Sequence, residues 1–571
     1  MKADLVIRGG TVIDGTGAPA RPADVAVAGT RIVSIGSFDG SAGAVIDARG
    51  KIVCPGFIDI HTHYDAQLLW DPSASPSPLH GVTTVLGGNC GFSIAPLRAD
   101  HVDYVMRMMA RVEGMSLETL RHGPPWDWTS FADWLHRLDG CSAVNAGFLA
   151  GHSTIRRVVM GDDCHDAARP EHIDAMVDLL EESLAGGALG FSSSLGEAHT
   201  DGDDRPVPSR SARREEFLAL ASALRRFEGT TLEFIPAMGE IPDERVRLMT
   251  DMSLAAGRSL NWNLLGSLSP TQVFEQQLSS CDHARDRGAH VVALALPDLL
   301  TMRSGVLLGL QPWAEVLAMP EADRRRAATD PTVRQRLTAS AVTLPEAVRS
   351  WDLLVLGDGP MAGRSIASLA AERQMSPEEA LIDAVVPDAV PVSGRFPSLA
   401  PDLGASPDGW GIRSRVWRDE RVVLGGSDAG AHCDLMCHAN YPTVVLGEMT
   451  RERGIFDIED AVRRMTDVPA RLYGLRSRGR LRQGYFADLV IFDADTVGSL
   501  PATPRVDQPA GGMRLYAEAD GVDAVVVNGR PIVRAGRFTG DLPGTILRAG
   551  RDTETASFTG GGRQESATTG P

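Results

Sequence analysis

Two histidines separated by one residue, His61 and His63, close the apolar run Cys54-Pro-Gly-Phe-Ile-Asp-Ile-His-Thr-His63. In an extended chain residues i and i+2 point the same way, so a strand ending here aims both imidazoles at one point. Two neutral imidazoles converging at a strand end suit a divalent cation such as Zn²⁺. An isolated His-x-His pair is more often a solvated edge. Here the buried-looking run Ile52–Ile60 and its Pro-Gly step favour the metal reading. Far along the chain, Asp428 in Val423-Leu-Gly-Gly-Ser-Asp-Ala-Gly430 directly follows another apolar run. A carboxylate there can ligate through one oxygen and accept the proton of an attacking water; the plainer reading is a turn residue. Cys90, in Gly87-Gly-Asn-Cys-Gly91, offers a thiolate, a good Zn²⁺ ligand, although small buried cysteines also serve as packing elements.

The elements that must position these groups are legible as an alternation of strand-like and helix-like segments. Candidate strands are Val53–Ile60, Val82–Leu86, Ala143–Leu149, Leu189–Ser192, Thr231–Phe234, Ser259–Asn263, His290–Ala295 and Val422–Gly426. Helical spacing marks the stretches between them, as in Pro170–Ala185 with Ile173, Met176, Leu179, Leu180 and Leu184. The pattern predicts an α/β chain whose middle, residues 53–469, is a TIM-like (β/α)8 barrel. In such a barrel the active site lies at the C-terminal strand ends, where His61, His63 and Asp428 fall.

Short β-like runs at both ends of the chain, such as Leu5–Arg8, Asp24–Val27, Ala487–Asp493 and Val522–Val527, are too few on either side to make a core alone. They predict a small β-sandwich domain built from residues 1–52 and 470–545. The stretch between the seventh and eighth strands, about 299–407, is too long for a simple loop and predicts a helical insertion over the barrel mouth. Residues 551–571, rich in Gly, Ser, Thr and Glu, predict a flexible tail.

The chain has 571 residues, 43% hydrophobic and 23% charged, with a formal net charge of −18. This excess of acid argues against nucleic acid or an anionic membrane as partner. No apolar run is long enough to span a bilayer, and the alternating N-terminal segment does not read as a signal peptide. Seven scattered cysteines fit a reducing cytoplasm. A small-molecule substrate is expected; a homo-oligomer is compatible with the chain.

Several segments together resemble a known family. PGFIDIHTH is similar to the first-strand metal motif of the amidohydrolase superfamily. HGVTTVLGGNCGFSIAPL (His80–Leu97), Gly151-His-Ser-Thr-Ile-Arg156, the run Gly187–Leu195 and GRLRQGYFADLVIFD (Gly479–Asp493) resemble its N-acyl-D-amino-acid deacylase (D-aminoacylase) branch. The resemblance implies metal ligation by His61, His63, Cys90 and Asp428, with Asp428 as catalytic acid/base, and one Zn²⁺ ion or two. It also implies two further histidine ligands, at the ends of strands five and six. This chain carries Glu233 and Asn263 there, so the metal shell is altered. No lysine on the fourth strand is placed to bridge two metals. Glu233 is accordingly taken as a replacement ligand, and Asn263 as a substrate contact with His152, His199 and Arg205; Asp201 shares the loop of the last two. A structural metal at His432, Cys433, Cys437 and His438 is disfavoured by the absence of a second Cys/His pair at zinc-finger spacing.

The expectation is a metal-dependent hydrolase of a carbon–nitrogen amide bond; the resemblance implies an N-acyl amino acid as substrate, with the D configuration among the candidates and the chirality left open. Two alternatives stand beside it. One is hydrolysis of a cyclic amide, imide or lactone; the other is a non-catalytic barrel kept for binding.

Overall fold

The computed structural model describes residues 2–266, 271–303, 312–342, 351–352, 354–357, 361, 364–390, 392–396, 399 and 406–557. The fold is mixed α/β, and its parallel strands follow one another in chain order. Strand Phe57–Asp59 pairs with Val82–Gly87, which pairs with Asn145–Phe148. The same run continues as Ala150–Gly151, beside Gly190–Ser194. The pairing passes on through Thr231–Ile235, Leu260–Trp262, Val291–Ala295 and Val422–Leu424. Beyond the last strand the chain returns to the first: His63 N–H donates to Ala429 O at 2.7 Å, and Asp428 N–H to His61 O at 3.2 Å. This order is compatible with a (β/α)8 barrel. Helix Pro170–Ala185 buries Met176, Leu180 and Leu184 at the expected spacing.

One expected element divides. The apolar run Val53–Ile60 is two strands, because Ile52–Pro55 pairs antiparallel with Leu489–Phe492 and only Phe57–Asp59 enters the parallel set. Gly56 makes the break possible: a Cβ there would lie 2.1 Å from Thr83 Oγ1. Ile52–Pro55 thus stitches the parallel strands to a second, nine-stranded sheet. That sheet joins Lys2–Val12, Arg21–Ala28, Arg31–Gly36 and Ser41–Asp47 from one chain end to Leu489–Phe492, Val522–Val527, Arg530–Arg534 and Arg537–Phe538 from the other. Leu5, Ile7, Val25 and Val27 pack in one cluster with Leu489, Ile491 and Val526. Each chain end covers apolar surface that the other leaves open.

The region 299–407 contains helices such as Glu321–Ala327, Pro331–Val342 and Pro377–Val385. It also holds a three-stranded antiparallel sheet, in the order Leu300–Arg303, Val392–Phe396 and Leu354–Leu356, that helical spacing does not reveal. Other parts of the expected insertion lie outside the described residues. The tail was expected from residue 551, yet residues 551–557 are anchored. Thr553 is buried and donates from Oγ1 to Gly229 O at 2.7 Å, and Glu554 N–H donates to Gly474 O at 2.8 Å. Residues 558–571, the rest of that expectation, lie outside the described residues. No helix among the described residues is long and apolar enough to cross a membrane.

Candidate metal centre

His61 and His63 leave the end of strand Phe57–Asp59, held against the loop of Asp428 by the backbone bonds just given. Cys90 arrives from the neighbouring strand Val82–Gly87 through a tight turn. Asn89 fixes that turn by donating from Nδ2 to Thr62 O at 3.1 Å and Leu86 O at 2.9 Å. Cys90 and Asp428 both have left-handed backbone, φ 59° and 50°. Side chains other than glycine occupy that region at a cost, and such strain gathers where geometry serves a site.

The side chains converge. Ligand atoms of His61, His63 and Cys90 all lie within 4.8 Å of one another, the one such group of three or more His, Cys, Asp or Glu among the described residues. Cys90 Sγ is 3.4 Å from His61 Nε2 and 4.0 Å from His63 Nε2. Asp428 Oδ1 is 3.1 Å from His61 Nε2 and 3.6 Å from His63 Nε2. Ligand atoms on one tetrahedral Zn²⁺ stand about 3.3–3.6 Å apart, from bond lengths of about 2.0–2.3 Å. The observed spacings bracket that range, and the nitrogen, sulfur and oxygen donors are those zinc accepts. His63 Nδ1 lies 3.2 Å from Glu113 Oε1, at ion-pair distance but without hydrogen-bond geometry.

Charge points the same way. Asp59, Asp65, Glu113, Glu233 and Asp428 crowd around two imidazoles and a thiol, and among the described residues no Lys or Arg ion-pairs with these five acids. Burial pushes Asp59, Asp65 and Glu233 up to about 7 and Glu113 well above its usual range. Burial, then the carboxylates of Glu233, Glu113, Asp428 and Asp65, raise the Cys90 thiol well above normal. Burial also lowers His63 to about 4. For His61 burial opposes the charged ring, but Asp428 outweighs it and the net shift is upward. Burial alone would raise Asp428; His61 and His63 hold it well below the carboxylate range instead. Buried Asp59 Oδ2, Asp65 Oδ1 and His61 Nδ1 have no hydrogen-bond partner. A cation is what such a set lacks.

The residues expected at the site divide into those brought to it and those held away. Glu233 is adjacent but stands outside the ligand group. Its Oε2 accepts from Cys90 N–H at 2.8 Å and its Oε1 from Asn263 Nδ2. Asn263, expected to meet substrate, spends its amide on that bond. His152 is buried away from the rings: Nδ1 meets Ser193 Oγ at 2.8 Å and Nε2 meets Glu216 Oε1 at 2.7 Å. A side chain with both ring nitrogens engaged inside the core has nothing left to offer a substrate. Arg205 is exposed on its loop. Asp201 is buried and builds that loop, accepting from Arg205 N–H at 3.0 Å and Tyr104 Oη at 3.0 Å.

His199 does reach the rim, its ring 5.1 Å from Phe92 and its Nδ1 2.8 Å from Ser194 Oγ. Burial, then His432 and His63, lower it to about 4. His432 therefore belongs with the rim histidines; among the described residues it forms no metal group with Cys433, Cys437 and His438. Cys433 Sγ contacts Gly430 O at 3.4 Å and Gln508 Nε2 at 3.7 Å. A small recess of about 20 Å³ opens beside Asp428, lined in part by Tyr64, Ser427, Met436 and Arg514. Arg514 comes from the hairpin Thr503–Gln508/Gly512–Tyr516 and donates from Nη1 to Ser75 O at 2.7 Å, in the segment that precedes strand Val82–Gly87.

Sequence reasoning missed Glu113, Asp59 and Asp65. The two aspartates flank the histidines at steps of two, a periodic signal that was available. Glu113 ends helix Val102–Val112 with no local mark of its role.

A family model described as the amidohydrolase family matches residues 44–533. A D-aminoacylase from Alcaligenes xylosoxydans xylosoxydans is 32% identical over 551 residues, covering 95% of this chain and 97% of that relative. Among solved structures, a D-aminoacylase described by its binuclear metal centre, with one-metal activation and second-metal attenuation, is 26% identical with a TM-score of 0.64. It covers 96% of this chain and 100% of that one. An N-acyl-D-glutamate deacylase from Bordetella bronchiseptica, complexed with zinc and a phosphonate mimic of the tetrahedral intermediate, is 25% identical with a TM-score of 0.65 over 96% of this chain and 100% of its own.

Proposed function

Because this chain belongs to the amidohydrolase family, we propose that it is a metal-dependent hydrolase of a carbon–nitrogen amide bond, acting on N-acyl-D-amino acids. The observation that carries the reading is the convergence of His61, His63 and Cys90 into one ligand group, with Asp428 Oδ1 3.1 and 3.6 Å from the two imidazoles. The names of the relatives, D-aminoacylase and N-acyl-D-glutamate deacylase, supply the substrate class. A Zn²⁺ held by these residues supplies Lewis acidity that polarises a carbonyl and eases ionisation of water.

The remaining steps belong to the chain's own groups. Asp428, with Oδ1 turned to the imidazoles, accepts the proton of the attacking water on Oδ2 and returns it to the leaving nitrogen. Its loop geometry is set by the bonds from Asp428 N–H to His61 O and from Ala429 N–H to Ser427 Oγ. Glu113 stands at ion-pair distance from the His63 ring. His199, against Phe92, faces substrate from the rim. In this reading residues 53–469 form the barrel, and residues 1–52 with 470–545 form a split β-sandwich scaffold. All seven cysteines are free, which favours a reducing cytoplasm.

The test is turnover of zinc-loaded protein on matched N-acyl-D- and N-acyl-L-amino acids and on cyclic imides. Hydrolysis confined to D-configured acyl amino acids is the expected result. Preference for the imides would move the substrate class, and inactivity on every amide by zinc-replete protein would end the hydrolase reading.

A further inference from the structure

Glu233 is wholly buried beside the candidate ligands, yet neither of its oxygens is free. Oε2 takes the backbone N–H of Cys90 at 2.8 Å, and Oε1 takes Asn263 Nδ2. Cys90 is also the residue whose backbone sits at φ 59°, a conformation that needs outside support in a non-glycine residue. Ser192 reinforces the same turn, its Oγ accepting from Gly91 N–H at 3.0 Å and donating to Gly88 O. Asn263 is carried by the chain just past strand Leu260–Trp262, two strands removed from Gly190–Ser194. Cys90 is thus held in place from both the Ser192 strand and the Glu233 strand.

We propose that Glu233, held by Asn263, is a positioning residue that clamps Cys90 in its ligating conformation. Hydrogen bonding supports this: the Glu233 carboxylate meets the needs of both its oxygens through donors. The inference rests on the metal-centre reading given above.

A clamp and a ligand respond differently to substitution. An amide oxygen still accepts the Cys90 N–H, and Asn263 can turn its own amide to match, so Glu233→Gln preserves a clamp; it removes a carboxylate ligand outright. The experiment measures zinc per chain by elemental analysis, zinc affinity by competition with a chromogenic chelator, and the thiolate-to-cobalt charge-transfer band after Co²⁺ substitution. The expected results are zinc bound to the wild-type chain, affinity about 10–100-fold weaker in Glu233→Ala with a weakened cobalt–thiolate band, and less than about tenfold weakening in Glu233→Gln. Should Glu233→Ala not fold, Asn263→Ala carries the test, with weakened zinc binding expected and unchanged affinity overturning the clamp. A Gln variant as impaired as the Ala variant also overturns it. A wild-type protein that binds no zinc at all refutes the metal-centre reading itself, which separates the two failures.

Discussion

Two of the buried histidine–carboxylate clusters among the described residues are finished differently. Behind the strand wall, His152 lies between Ser193 Oγ and Glu216 Oε1, while Arg156 donates to Glu216 and to Cys164 O. Every donor there meets an acceptor. Around His61 and His63 the count fails: ring nitrogens and two aspartate oxygens lack hydrogen bonds, and among the described residues no Lys or Arg ion-pairs with the five carboxylates. A closed buried network is structure, because its desolvation is already offset. An open one is costly, and a fold keeps it when a ligand completes it. From sequence the two histidine sets looked alike; their unmet valences tell them apart.

The sharpest break of this comparison is Asp428→Asn. It should lower kcat about 10²–10⁴-fold, the range for a lost general acid–base group. Circular dichroism and Tm should stay near wild type, and near-normal turnover would remove Asp428 from the chemistry. The mirror experiment is Glu216→Ala, which leaves Arg156 buried without its partner. A loss of about 3–5 kcal/mol in urea unfolding is expected, with kcat per folded molecule held within severalfold. A selective collapse of kcat would place that cluster in catalysis.

Metal removal reads the open cluster by stability. Zinc at 100–1,000 times its Kd adds about 2.7–4.1 kcal/mol, so a chelator should lower Tm and restored zinc should recover it; a Tm indifferent to both would count against the centre. Acid reads the closed cluster. Burial lowers His152, so the folded state holds the neutral ring while the unfolded chain binds a proton below about 6.5. For Glu216 burial works upward, but His152 and Arg156 outweigh it, and the folded pKa is depressed. Its stabilisation is present above about 4.3 and lost as pH falls. Both terms therefore weaken the fold on acidification, and His152→Gln should flatten the upper limb of a urea-midpoint profile. Least of all, Arg205→Ala should change stability by no more than about 0.5 kcal/mol, its side chain being exposed.

Much of this was legible in the sequence because the signals were local. The His-x-His step, the Gly-rich turn at Cys90 and the Ser-Asp turn at Asp428 each follow an apolar run, and the runs pair in chain order. What was hidden depended on partners far away. The split of Val53–Ile60 is set by pairing with Leu489–Phe492, and the anchoring of Thr553 by Gly229. Glu233 looked like a ligand because it stands where the resemblance implies a metal-binding histidine. Only the approach of Cys90 N–H and Asn263 shows both oxygens taken. His152 misled for the same reason, since Glu216 reaches it from a helix sixty-four positions on.

The most direct measurement of the central claim is anomalous diffraction from zinc-loaded crystals, collected on either side of the zinc edge. The account predicts one strong peak within bonding distance of His61 Nε2, His63 Nε2, Cys90 Sγ and Asp428. A peak elsewhere, for example among Cys433, Cys437 and His438, or no peak in crystals of zinc-replete protein, would contradict it.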